Sequence, residues 1–98
     1  MITHVVTFRW KPEISPGDLG RIVVALQSMP ALVPTIRTYR FGSDLDVGAA
    51  TNMDFAIVAT FDSVEDWKAY DTHPDHVQAR SEIIVPWVAE RAAVQFES

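Results

Sequence analysis

The sequence predicts an α+β fold in which a four-stranded antiparallel sheet carries helices on one face only. Four segments are rich in β-branched and aromatic residues, and the segments between them show helical spacing of apolar residues. Their order along the chain is strand, helix, strand, strand, helix, strand. With 98 residues, of which 48% are hydrophobic, the chain has the length of one domain, placed at residues 1–98.

The first strand and the first helix have the clearest patterns. One face of the strand at residues 2–10 is formed by Ile2, His4, Val6, Phe8 and Trp10. Ser15 and Pro16 then predict a helix start, because serine caps free backbone N–H groups and proline fits the first turn. The apolar stripe that follows consists of Leu19, Ile22, Val23, Leu26 and Met29. Pro30 and Pro34 are expected to end this helix.

Two strands are predicted next, on either side of a loop. Residues 35–41 alternate and end at Gly42, residues 43–52 are polar and rich in turn formers, and residues 53–61 are apolar on both faces. Strands with two apolar faces need cover on each side of the sheet.

The second helical region begins at Ser63, which has an acid, Asp66, three positions later as in a capping box. Its inward residues are expected to be Val64, Trp67 and Tyr70. A second segment starts at Pro74 with a buried stripe of Val77, Ile84 and Val88, and Pro86 bends or ends it. Residues 91–97 alternate again and predict the fourth strand.

This order is the ferredoxin-like βαββαβ arrangement, with both helical regions on one face of the sheet. Nothing in the sequence covers the other face, although that face also carries apolar and aromatic side chains. A chain of this size buries only roughly 60–70% of its extended surface, so a single core is marginal. We therefore expect a homodimer in which the uncovered face is buried against a second copy.

Composition excludes several classes of function. There is no cysteine, which rules out disulfides and thiolate zinc sites. The net charge of −5 makes nucleic acid a poor partner. The N-terminal residues lack the features of a secretory signal and no apolar run reaches ~18 residues, so a cytoplasmic protein without membrane association is expected. No phosphate-binding glycine loop is present, and no cofactor is predicted.

The residues that could take part in catalysis or binding are concentrated in one segment, residues 67–77 (WKAYDTHPDHV). This segment contains Tyr70, His73 and His76. Histidine is the usual general base near neutral pH, and a tyrosine hydroxyl can orient a substrate carbonyl. His4 shares its strand face with Val6 and Phe8 and could meet the helical stripe. Together these side chains would form a small-molecule site in an apolar cavity.

Each histidine also has a structural interpretation. His4 fits a hydrogen-bonded core residue, and His73, which precedes Pro74, is typical of a helix N-cap. His76 lies in the first helical turn, where the dipole would lower its pKa, although the same position could face solvent. The His73-x-x-His76 pair has no firm third ligand, so no metal site is predicted.

The segments HVVTFRWKPEIS, FAIVATFDSVEDWKAY and THPDHV resemble the stress-responsive A/B barrel (Dabb) family, and the resemblance runs over nearly the whole chain. It implies a dimeric α+β barrel in which two sheets face one another. The family includes proteins of unknown role and a plant polyketide cyclase that performs an intramolecular aldol condensation. Its functional residues fall on His4, Tyr70 and His76. The resemblance thus implies that His76 abstracts an α-proton, Tyr70 holds the carbonyl or enolate oxygen, and His4 positions the pair.

A ligand is expected to contact Val6, Phe8, Val23, Leu26, Tyr39, Ile57 and His73. After His76, the residues Gln78, Ala79 and Arg80 depart from the glycine-rich and aromatic stretch of the cyclase, which leaves the substrate open. One hypothesis is a cyclase-like enzyme for a small apolar or aromatic ligand, and the other is a non-catalytic stress or accessory dimer. A cofactor-free or haem-degrading monooxygenase rests only on analogy of fold, with Trp67 and His76 in its favour.

Overall fold

A computed structural model describes all residues, Met1–Ser98, and contains the predicted order of elements. The elements are β1 Ile2–Trp10, α1 Pro16–Leu32, β2 Thr38–Ser43, β3 Phe55–Phe61, α2 Val64–Asp71, α3 Pro74–Ala79 and β4 Val88–Glu97. A π-helical turn, Arg80–Ile84, and a 3₁₀ turn, Val85–Trp87, connect α3 to β4. All strand pairs are antiparallel and the sheet order is β2-β3-β1-β4, which confirms the ferredoxin-like arrangement.

Helix α1 begins as predicted but ends later. The Ser15 hydroxyl accepts a hydrogen bond from the Asp18 N–H at 3.1 Å, and the Asp18 carboxylate accepts one from the Ser15 N–H at 3.0 Å. Pro30 removes one intrahelical hydrogen bond but does not end the helix, and Met29 and Val33 on either side of it are buried in the core. The helix ends at Leu32, and the following residue, Val33, is extended because Pro34 comes after it.

Strand pairing, rather than local sequence, sets the strand ends. β2 runs from Thr38 to Ser43 instead of 35–41, because Thr38 lies opposite Thr60 and Ser43 opposite Phe55. Gly42 therefore lies within the strand and does not close it. β3 begins at Phe55 rather than at 53, and β4 begins at Val88 rather than at 91.

Two side chains that were predicted to point inward are exposed. Val64 is 46% exposed and Val77 is 37% exposed. In a helix with 100° per residue, Val64 is turned about 120° away from the buried Tyr70, and Val77 about 160° away from the buried Ala79. The inward face of α2 is therefore formed by Tyr70 and the half-buried Trp67.

The two faces of the sheet differ in their cover. On the face toward the helices, every second residue of β1 is buried, from Ile2 to Trp10. On the opposite face, Val58, Val94 and Phe96 are 37%, 54% and 47% exposed. Strand β4 is exposed along almost its whole length. The uncovered apolar face that the sequence predicted is thus present. No helix combines the length and the apolar character that crossing a membrane requires.

Candidate functional site

A cavity of about 260 Å³ lies beside the helix-covered face of the sheet. Its wall contains residues of all four strands, of α1 and α2, and of the helical region from α3 to β4. The lining residues are His4, Val6, Phe8, Leu26, Tyr39, Ile57, Tyr70, Asp71, His76, Arg80, Ile84, Val85, Val88 and Arg91. The cavity is therefore mainly apolar, with a small number of polar groups, as is usual for a small-molecule site.

All but two of the site residues proposed from the sequence line this cavity. Val23 is half-buried and packs against the core, but it is not part of the cavity wall. His73 is outside it as well, because its Nδ1 accepts a hydrogen bond from the Asp75 N–H at 3.2 Å and caps the N-terminus of α3. The fold thus brings His4, Tyr70 and His76 to one cavity from three elements: β1, α2 and α3.

His76 is held in one tautomer by the end of the preceding helix. Its Nδ1 lies 3.1 Å from the backbone oxygen of Asp71. A carbonyl oxygen can only accept a hydrogen bond, so Nδ1 carries the proton and Nε2 keeps its lone pair. Burial lowers the pKa of His76, and the positive charge of Arg80 also lowers it, while the bond to Asp71 acts in the opposite direction. His76 is accordingly a neutral imidazole with a basic nitrogen, which makes no hydrogen bond within the chain.

Two tyrosines form a hydroxyl pair beside this base. The Tyr39 and Tyr70 hydroxyl oxygens are 3.0 Å apart, and the rings of Tyr70 and His76 have centroids 4.1 Å apart. Burial raises the pKa of both tyrosines, so both are neutral phenols at pH 7. When Tyr39 donates to Tyr70, the Tyr70 O–H remains available to a ligand.

His4 has the opposite tautomer. The side-chain amide nitrogen of Gln95, which can only donate, lies 2.9 Å from His4 Nδ1. The proton of neutral His4 is therefore on Nε2, where it can be donated. Burial, with the charge of Arg91 as the next cause, lowers the pKa of His4 to about 4. The ring is 6.0 Å from those of Tyr70 and Trp67, between centroids.

Sequence reasoning missed four polar residues of the site. Asp71 orients His76 through its backbone, Gln95 orients His4, and Arg80 and Arg91 add positive charge to the cavity wall. For Arg91 and Gln95, the alternation of side chains along β4 offered a signal. Since Ala92, Val94 and Phe96 form the uncovered face, Arg91 and Gln95 must lie on the helix side. Neither in this site nor elsewhere in the chain is a group of three or more His, Asp or Glu side chains placed to hold a metal ion.

Comparison with known proteins gave a family and several similar structures. A family described as the stress responsive A/B barrel domain matches residues 2–98. A dimeric ferredoxin-like protein of unknown function from Thermobifida fusca is 42% identical, with a TM-score of 0.90 over 99% of this chain and 90% of that one. A dimeric protein of unknown function from Bacteroides fragilis is 27% identical, with a TM-score of 0.84 over 99% and 95%.

A hydroxynitrile lyase from Passiflora edulis shares the fold at 20% identity, with a TM-score of 0.85 over 97% of this chain and 90% of that one. A search of the curated proteins gave no match.

Proposed function

This chain belongs to the stress-responsive A/B barrel family, and we propose that it is a homodimeric enzyme for a small carbonyl compound with an apolar or aromatic body. The proposed reaction is of the aldol type, in which a base removes a proton next to the carbonyl and the resulting enolate forms or breaks a carbon–carbon bond. Cyclisation of a small polyketide is one such reaction.

The observation that carries this proposal is the orientation of His76. Its Nδ1–H is used by the Asp71 carbonyl at 3.1 Å, so the remaining nitrogen, Nε2, is the proton acceptor in an apolar cavity. Because the pKa of His76 is lowered by burial, the imidazole is free of its second proton at neutral pH. In the proposed step, Nε2 takes the α-proton and the electron pair moves onto the carbonyl oxygen.

That oxygen needs hydrogen-bond donors as its negative charge develops. Tyr70 supplies an O–H, and the neighbouring Tyr39 hydroxyl at 3.0 Å supports it. His4 supplies an Nε2–H, since Gln95 occupies its other nitrogen. His4 is buried and its pKa is about 4, so it stays neutral and does not compete for the proton.

The proposed dimer uses the uncovered face of the sheet. Val58 and Phe96 on that face are 37% and 47% exposed in the single chain. Relatives from Thermobifida fusca and Bacteroides fragilis are described as dimeric. Burial of this face against a second copy would remove apolar surface from water, at about 25 cal/mol per Å².

The test is proton exchange at carbon. Butyrophenone, a neutral aromatic ketone whose α-protons exchange slowly without a catalyst, is incubated with the protein in D₂O and followed by ¹H NMR. We expect the protein to accelerate exchange and His76→Ala to reduce the acceleration by about 10²- to 10⁴-fold, the usual contribution of a general base. Gln78→Ala, an exposed neighbour on α3, is the matched control and should retain the activity.

Two results would contradict the proposal. If His76→Ala is as active as the unchanged protein, the base is another group. If aromatic ketones bind without any acceleration of exchange, the protein is a non-catalytic ligand-binding dimer.

A further inference from the structure

The charges of the cavity wall do not balance. Three side chains on it are charged at neutral pH: Asp71, Arg80 and Arg91. Arg80 Nη1 lies 3.2 Å from Asp71 Oδ1, so these two compensate one another. Both histidines are neutral there, since burial lowers their pKa values. One positive charge, that of Arg91, remains without a counterpart.

Arg91 is an exposed residue of β4 that lines the cavity and has no partner within the chain. It forms no ion pair and no side-chain hydrogen bond within the chain, whereas the adjacent Glu90 pairs with Arg9 at 3.5 Å. In the register of β4 with β1, Arg91 lies opposite Phe8, whose side chain also lines the cavity. The guanidinium therefore lies at the wall of a mainly apolar cavity, and none of its five N–H donors is bonded within the chain.

We propose that Arg91 binds the carboxylate of the ligand, and that this site prefers small keto acids over neutral carbonyl compounds and thioesters. A guanidinium recognises a carboxylate through two parallel hydrogen bonds, which fix orientation as well as supplying affinity. This inference rests on the proposed function, because it assigns the substrate class of the same cavity.

The size and polarity of the cavity restrict the rest of the molecule. A volume of about 260 Å³ is below the ~300–1,000 Å³ of sites for drug-sized ligands. Besides the two arginines and Asp71, the cavity wall carries several apolar side chains, among them Ile84, Val85 and Val88. The ligand is thus a small molecule with one anionic end at Arg91 and an apolar or aromatic body, whose carbonyl lies toward His76.

The test compares two probes that differ only in charge, 4-oxo-4-phenylbutanoate and its methyl ester, by isothermal titration calorimetry. We expect the acid to bind the unchanged protein about 10- to 100-fold more tightly than the ester, the range for a hydrogen bond to a charged group. Arg91→Gln should remove this preference and leave binding of the ester unchanged. Arg91→Lys, which keeps the charge without the planar fork, should retain part of it.

The control is Arg21→Gln, which removes the same charge from an exposed position on α1. It should bind both probes like the unchanged protein. Circular dichroism of Arg91→Gln and Arg91→Lys verifies the fold, and Arg91 is exposed on an edge strand, where substitution is tolerated.

The two proposals fail in different ways. Equal binding of acid and ester, or an unchanged preference in Arg91→Gln, overturns the role of Arg91, while His76-dependent exchange of butyrophenone would still stand. Absence of binding for both probes overturns the keto-acid assignment, and absence of exchange with butyrophenone overturns the proposed function.

Discussion

The two faces of strand β1 differ in their surroundings, so that alternate residues of one segment have different roles. His4 points toward the helices, is 5% exposed and has its tautomer set by Gln95. Val5, the next residue, points to the uncovered face, where it lies opposite Val58 and Val94 of the neighbouring strands. The covered face holds the core and the candidate site, and the other face holds an apolar surface that the proposed dimer would bury. Stability and chemistry are therefore expected to respond to one face, and assembly to the other.

The largest loss of stability is expected from a substitution in the core of the covered face. Phe61 is fully buried, and Phe61→Ala should lower the free energy of unfolding by about 3–5 kcal/mol, through lost transfer energy and the cavity left behind. Phe96→Ala is the matched change on the uncovered face and should act mainly on dimerisation. Urea unfolding at several protein concentrations separates the two. Similar losses of stability in both variants would show that the faces are not divided in this way.

A smaller loss of stability is expected when the pH is lowered. The pKa of His4 is about 4 in the folded chain, against an ordinary value of 6.5 for a histidine in the unfolded chain. Between these values the unfolded state binds more protons, so stability falls as the pH falls from 6.5 toward 4. The full linkage amounts to at most about 3 kcal/mol. Urea unfolding between pH 4.5 and 7 measures it, and His4→Gln should flatten the profile. An equally steep profile in that variant would assign the effect to other groups.

Assembly should respond to a charge on the uncovered face. Val58 lies on the interior strand β3 and is 37% exposed, so Val58→Glu is expected to leave the fold intact. It would bury a carboxylate in the proposed interface and weaken the dimer by about 2 kcal/mol, roughly 30-fold in Kd. Sedimentation equilibrium measures the change, with Val58→Thr as the milder control. A dimer of unchanged affinity would place the interface elsewhere.

The smallest effect is expected from two adjacent residues of β4 that point in opposite directions. Gln95→Leu removes the donor to His4 Nδ1 and should cost about 1 kcal/mol, with a loss of proton-exchange activity because His4 is no longer held in one tautomer. Val94→Thr, on the uncovered face, should leave that activity unchanged. Activity that is lost equally in both variants would mean that the strand as a whole, and not the Gln95 amide, supports the site.

Much of the fold followed from periodicity and caps. The Ser15 cap and the alternation of β1 are local signals, and the structure confirms both. The limits of β2 were wrong because they depend on pairing with β3, to which no local pattern refers. Pro30 was misjudged because the cost of a proline depends on its place in the helix.

The residues of the candidate site also divide into those with a local sequence signal and those that depend on long-range pairing. Tyr70 and His76 lie six residues apart and are recognisable in one segment. The alternation of β4 places Arg91 and Gln95 on the helix side of the sheet, but only the register of β4 against β1 brings Arg91 to the cavity and Gln95 to His4. Residues whose role depends on such long-range pairing could not be ranked from sequence alone.

The pairing of β1 with β4 also has a consequence for folding. It sets Ile2 opposite Glu97, so it must close a loop of almost the whole chain. Contacts between residues so distant in sequence form slowly, because the entropy of loop closure must be overcome first. A chain with α1, β2 and β3 in place but β4 unpaired lacks Gln95 and Arg91 at the cavity. We therefore expect the site to mature last during folding and to be lost first when the exposed strand β4 opens locally, well below the temperature of global unfolding.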